Sequence, residues 1–108
     1  KCARDFATQF GVHVVLKGAA TVIAHPDGTI FINPTGNPGM ASGGMGDVLT
    51  GIVAGFITQG FSPEAAAHAA VYLHGAGADT LAKNMGPIGY LASEVMNAIP
   101  GEIRKVFE

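Results

Sequence analysis

The apolar positions along the chain change period several times, and each change marks an element. Phe6 and Phe10 stand four residues apart ahead of Gly11, the pattern of a short helix over residues 3–10 closed by a glycine that tolerates a left-handed backbone. Val12-His13-Val14-Val15-Leu16 is β-branched and almost wholly apolar, as a strand covered on both faces would be. Two further short strands are predicted over 21–24 and 29–33, around Pro26-Asp27-Gly28, whose residue types suit a tight turn.

Residues 33–46 carry no periodic pattern and are rich in Asn, Pro and Gly, so they are read as a loop. From Asp47, the residues Val48, Leu49, Ile52, Val53, Phe56 and Ile57 recur at the spacing of one helix face, which predicts a helix ending at Gly60. Ser62-Pro63-Glu64 starts the next helix with a hydroxyl cap, a proline whose missing N–H costs nothing there, and a carboxylate near the positive end. This alanine-rich helix is expected to run to about Lys83. Small side chains such as Ala66, Ala70, Gly75 and Gly77 let a neighbouring backbone come close, so it should be buried. A last helix is expected from about Tyr90 to Ala98, interrupted by Pro100-Gly101.

A length of 108 residues allows one small domain at most. Ala3-Arg4-Asp5-Phe6-Ala7 reads like the inside of a helix with no cap ahead of it, so the chain is expected to be a fragment or a processed piece. Hydrophobic residues make up 48% against 13% charged, which excludes disorder and suggests that part of the surface is covered by a partner. A net charge of -2 without any basic run leaves no footprint for nucleic acid or an anionic membrane. The apolar stretches break well before the roughly 18 residues of a membrane span. The single Cys2 makes neither an internal disulfide nor a cysteine-pair metal site. These features point to a soluble, cytoplasmic chain.

Anion binding must then come from local geometry, and one segment offers it. Asn33-Pro34-Thr35-Gly36-Asn37-Pro38-Gly39-Met40-Ala41-Ser42-Gly43-Gly44-Met45-Gly46-Asp47 lies between a strand and an apolar helix. Glycines at 43, 44 and 46 leave backbone N–H groups free to converge on an anion at the helix N-terminus. The segment lacks both the lysine-serine/threonine ending of a P-loop and the spacing of a dinucleotide fingerprint. A carboxylate at Asp47 is favoured in a first helical turn. On the residues alone it is either a helix cap beside a tight turn or a base beside a phosphate cradle, where it can take a proton from a hydroxyl while amides hold the charge developing on a phosphoryl group.

The stretch from Gly36-Asn37-Pro38-Gly39-Met40-Ala41 through Gly46-Asp47-Val48-Leu49-Thr50-Gly51-Ile52 closely resembles the signature of the NAD(P)H-hydrate dehydratases, a ribokinase-like family. Val15-Leu16-Lys17-Gly18-Ala19-Ala20-Thr21-Val22-Ile23 also resembles that family, as does Leu91-Ala92-Ser93-Glu94, although the family commonly has Asp in place of Glu94. Ser42 and Met45 stand where the family often has threonine, a change that an anion hole built from backbone N–H groups tolerates. The resemblance covers nearly the whole chain but only the C-terminal part of the family's domain. It implies an α/β fold, the C-terminal portion of a ribokinase-like three-layer α/β/α domain whose N-terminal half supplies further strands and much of the substrate pocket.

The resemblance further implies repair of hydrated NADH or NADPH: ATP or ADP phosphorylates the 6-hydroxyl of the damaged ring, and loss of phosphate restores the double bond. Asp47 would contact that hydroxyl and act as general base; the amides of Gly43, Gly44, Met45 and Gly46 would form the anion hole; Lys17, Gly18, Ala19, Ala20, Thr21 and Gly46 would line the nucleotide. Mg2+ would arrive with the nucleotide phosphates, with no all-protein metal cage, and a homo-oligomer is expected. A ribokinase-like kinase acting on a sugar, vitamin or pyrimidine alcohol is the alternative that the same loop could serve.

Other residues take plainer readings. Lys17 at a strand end either reaches phosphate or extends its stem along the surface. His68 and His74, six apart, fall on different sides of a helix and are not expected to share a metal. His13 and His25 have no companion ligand at a useful spacing, so hydrogen-bonded structural roles are expected. Gly51 and Gly55 suggest tight packing, and Asp79 a solvated or helix-pairing role.

Overall fold

The computed structural model describes residues 2–16, 21–37, 40, 43–86 and 88–107. Strand pairing organises the first third of the chain. β1 (Val14–Leu16), β2 (Val22–Ala24) and β3 (Ile30–Ile32) form an antiparallel sheet in that order, with Val15 opposite Ile23 and Ile23 opposite Phe31. The β2–β3 turn closes with His25 N–H on the Thr29 carbonyl at 3.0 Å, and Gly28 takes a left-handed φ of 92° there. Asp27 Oδ1 accepts from the Thr29 N–H and hydroxyl, two bonds that hold its carboxyl below the usual carboxylate range.

Alternate residues of a strand point to opposite faces, so Val15, Ile23 and Phe31 share one face while Val14, Ala24 and Ile30 share the other. Each face has its own helices. α1 (Cys2–Phe10) lays Ala3 and Ala7 on Ala24, with Val14 packed beside them. On the opposite face, α2 (Met45–Thr58) and α3 (Pro63–Met85) bring Leu49, Ala67, Ala70 and Val71 onto Ile23. The result is a three-layer α/β/α arrangement, as expected.

α3 is the spine of the second layer. Ser62 accepts the Ala65 N–H at 3.1 Å with Pro63 behind it, as its cap sequence requires. Its small residues are buried, and Gly77 lies where an added Cβ would sit 3.5 Å from Ala98 on α4 (Ala92–Phe107). α4 also places Val95 against Ala78, Met45 and Tyr90. Glu102, buried between the two helices, accepts from the Thr80 hydroxyl at 2.6 Å and from Lys105 Nζ at 3.1 Å, so its charge is matched.

Three expectations are corrected. β1 is not covered on both faces: Val14 and Val15 are half-buried and Leu16 is 52% exposed, because α1 covers only the Val14–Ala24 end of its face. α2 begins at Met45, two residues ahead of Asp47, since Gly44 in a left-handed conformation supplies the N-cap. α4 continues through Pro100 to Phe107. Pro100 and Met96 are both exposed, so the carbonyl that loses its helical partner can be hydrated, while Val95, Ile99 and Glu102 anchor the buried side on both sides of the proline.

Candidate functional site

The geometry of the glycine segment is set by the start of α2. Gly44 has a φ of 86°, a backbone that a side chain would strain, and the first helical bond runs from Val48 N–H to its carbonyl at 3.0 Å. N–H groups ahead of Val48 therefore point out of the helix end, where the dipole is positive. Met45 is 3% exposed, its side chain locked among Ala78, Tyr90 and Val95, which pins this helix end to α3 and α4. Gly46 and Asp47 follow as the second and third helical residues, and Asp47 is exposed.

Beside them opens a groove of about 510 Å3, lined by Gly46, Asp47 and Thr50 together with Val15, Leu49 and Ile57 among others. Asp47 is the one carboxylate among the described residues that line it. An apolar trough with a carboxylate and a glycine at one end suits a flat organic ring whose polar group must be met by a base. Of the residues expected to line a nucleotide, Gly46 is here, and Val15, two residues before Lys17, is in the wall. Thr21 is half-buried at the start of β2, where its carbonyl accepts the Asn33 N–H at 2.9 Å. Lys17, Gly18, Ala19 and Ala20 lie outside the described residues. Gly43 precedes the cap, in a turn with Gly44, and is exposed.

The loop before the glycines is fastened to α3. Asp79, which on sequence has a solvated or helix-pairing role, instead accepts from Gly36 N–H at 3.0 Å and from Asn37 Nδ2 at 2.7 Å. Tyr90 donates its hydroxyl to Asn37 Oδ1. Burial, and then the Asp79 charge, push the Tyr90 phenol up, which keeps it a donor. Thr35 donates to the Tyr72 carbonyl at 3.0 Å, and Asn33 Nδ2 donates to the Thr35 hydroxyl at 2.8 Å. Glu94 accepts the Leu91 N–H at 2.8 Å and so caps α4.

The histidines take the expected hydrogen-bonded roles, but in company that sequence spacing does not reveal. His13 and His25 do have companions: their Nδ1 atoms are 2.7 Å apart, and His25 Nε2 lies 2.7 Å from His68 Nε2 on α3. Glu64, one turn before His68, comes within 4.0 Å of His25 Nε2. The signal in the sequence is the spacing of four between Glu64 and His68, which puts them on one helix face. His74 is buried in α3, apart from this cluster.

A sheet sandwiched between helices, with a glycine turn opening a helix onto a lone acid, is the C-terminal portion of a ribokinase-like domain. A ribokinase-like superfamily protein from Enterococcus faecalis superposes with a TM-score of 0.81 and 42% identity, over 94% of this chain and 35% of that one. Residues 1–101 match the NAD(P)H-hydrate dehydratase family, and the chain belongs to it. It is 47% identical over 106 residues to the bifunctional NAD(P)H-hydrate repair enzyme Nnr of Moorella thermoacetica, covering 98% of this chain and 20% of that protein. The ADP/ATP-dependent NAD(P)H-hydrate dehydratase of Bacillus subtilis, co-crystallised with ATP/Mg2+, gives a TM-score of 0.92 and 41% identity over 99% of this chain and 38% of that one. The chain thus spans between a fifth and two fifths of the length of such relatives.

Proposed function

We propose that this chain is the nucleotide-handling, C-terminal portion of an enzyme that dehydrates hydrated NADH or NADPH at the expense of ATP or ADP. The observation that carries the reading is Asp47 as the third residue of α2, at the rim of an apolar groove and directly after the glycine turn. Family membership and the names of the relatives support it.

The nucleotide would supply a phosphoryl group to the 6-hydroxyl of the hydrated ring. Asp47 would take the proton from that hydroxyl, and the amides of Gly43, Gly44, Met45 and Gly46 would hold the negative charge developing on the phosphoryl oxygens. The helix end fits this use because its N–H groups and dipole favour an anion and its glycines admit one closely. Lys17 to Thr21 would complete the nucleotide's surroundings, an assignment favoured by Val15 standing in the groove wall. Mg2+ would enter on the nucleotide phosphates, since Asp47 is the sole carboxylate among the described groove residues.

Residues 1–108 would form a single partial domain, completed in the intact protein by an N-terminal half. The length of the relatives and the apolar surface left open on the sheet support this. A cytoplasmic homo-oligomer is the matching assembly. Asp47→Asn in the intact protein should retain nucleotide binding and lower turnover by about 10²–10⁴-fold, read as recovery of NADH absorbance from hydrated NADH with ATP or ADP. Turnover near wild type would sink the assignment, and a stable phosphorylated alcohol without action on hydrated NADH would favour a kinase instead.

A further inference from the structure

We propose that His25, Glu64 and His68 form a site for one divalent ion of the Zn2+ type, with His13 as a positioning residue behind it. The site is distinct from the groove at Asp47 and shares no residue with it.

His25 is 5% exposed and stands at the end of β2, its backbone held by the turn bonds to Thr29 and Gly28. Glu64 and His68 are one turn apart on α3, which puts them on one face. His25, Glu64 and His68 each offer a ligand atom within 4.8 Å of the other two, and from His25 Nε2 the distances are 2.7 Å to His68 Nε2 and 4.0 Å to a Glu64 carboxylate oxygen. Zinc bonds of about 2.0–2.1 Å in a tetrahedron require ligand edges of roughly 3.3 Å. Of the two edges at His25, the shorter must open and the longer close by roughly 0.6–0.7 Å. His68 is half-buried and Glu64 exposed, so both side chains have room to make that adjustment while His25 stays fixed.

The proton pattern is compatible with the ion. Without one, each of the two N···N contacts takes one proton, as when His68 Nε2–H donates to His25 Nε2 and His25 Nδ1–H to His13 Nδ1. An ion on His25 Nε2 leaves the remaining His25 proton on Nδ1, aimed at His13 Nδ1, 2.7 Å away. A metal-bound imidazole whose other N–H is held by an acceptor is the arrangement that orients such ligands. Two imidazoles and a carboxylate with an open fourth position suit zinc chemistry, and exposed Glu64 lies on the solvent side of the cluster, where an ion would enter. An ion held there clips the end of the sheet to the first turns of α3.

The intact protein, stripped of metal, should take up one Zn2+ per chain at this site in competition with a chromophoric chelator, and Co2+ there should give the visible absorption of a tetrahedral centre. His13→Phe should weaken binding by about 10–100-fold, and His68→Gln by more than that. Glu64→Gln, at an exposed position, tests the site without disturbing the core, and should also weaken binding and diminish the Co2+ band. Wild-type protein that takes up no Zn2+, or binds it equally tightly after both His68→Gln and Glu64→Gln, would overturn the proposal. Far-UV circular dichroism of the metal-free variants distinguishes a lost ligand from a lost fold.

Discussion

Gly75 and Thr35 meet with no room for a methyl group between them. A Cβ at Gly75 would overlap the Thr35 hydroxyl and come within 2.7 Å of its backbone carbonyl carbon, whereas one at Gly77 would find ordinary contacts of 3.5–3.6 Å. Alanine gains about 1 kcal/mol over glycine in a helix interior, but forcing side chains and backbone apart costs roughly 1–3 kcal/mol or more. Gly75→Ala should therefore lower the stability of the intact protein by about 1–2 kcal/mol net, while Gly77→Ala should leave it equal or slightly higher. Denaturant midpoints for the two variants would test this, and the same sign for both would contradict it. The two glycines look alike in sequence, and only the approach of a loop about 40 residues away in the chain separates them. The same holds for Asp79 and for His25, whose partners lie 43 residues off. The place of Asp47 in the first turn of α2 was legible because its signal is local: glycines, an acid and an apolar face run in succession.

At the scale of elements, caps and periods located the helices well, and Ser62-Pro63-Glu64 starts α3 where its chemistry says it should. Pro100 misled because its penalty of about 3 kcal/mol refers to a helix held by its own backbone, while α4 is held by Val95, Ile99 and Glu102 against α3. Tertiary packing outweighed a local breaker. Replacing it restores one backbone bond at an exposed site, so Pro100→Ala should stabilise the intact protein by about 1–2 kcal/mol, part of the helical gain being offset by the freer unfolded chain. Thermal unfolding reads this directly, and a lower midpoint would mean that the proline fixes a bend that the packing needs. The partial cover of β1 was not legible, since an apolar run records that a strand is covered but not which segment covers it.

For the whole molecule, the α1 side of the sheet is only partly covered. Leu16, Ile30 and Ile32 stay open there, Ile32 being 63% exposed. Polar substitution at a solvated site shifts stability by no more than about 0.5 kcal/mol. If the proposed N-terminal half covers this face, Ile32→Lys should instead lower the stability of the intact protein by about 2–4 kcal/mol, the loss of a buried apolar side chain combined with burial of a charge. A shift of midpoint within the solvated range would place that half elsewhere. The bonds from Asp79, Tyr72 and Tyr90 to residues 35–37 also bear on motion. A strand of loop tied at both its backbone and its side chains to the most deeply packed helix behaves as an anvil rather than a flap. The Gly36 amide should exchange its proton only when α3 itself gives way, and any closure over a bound nucleotide must be the work of some other segment coming down upon this fixed edge.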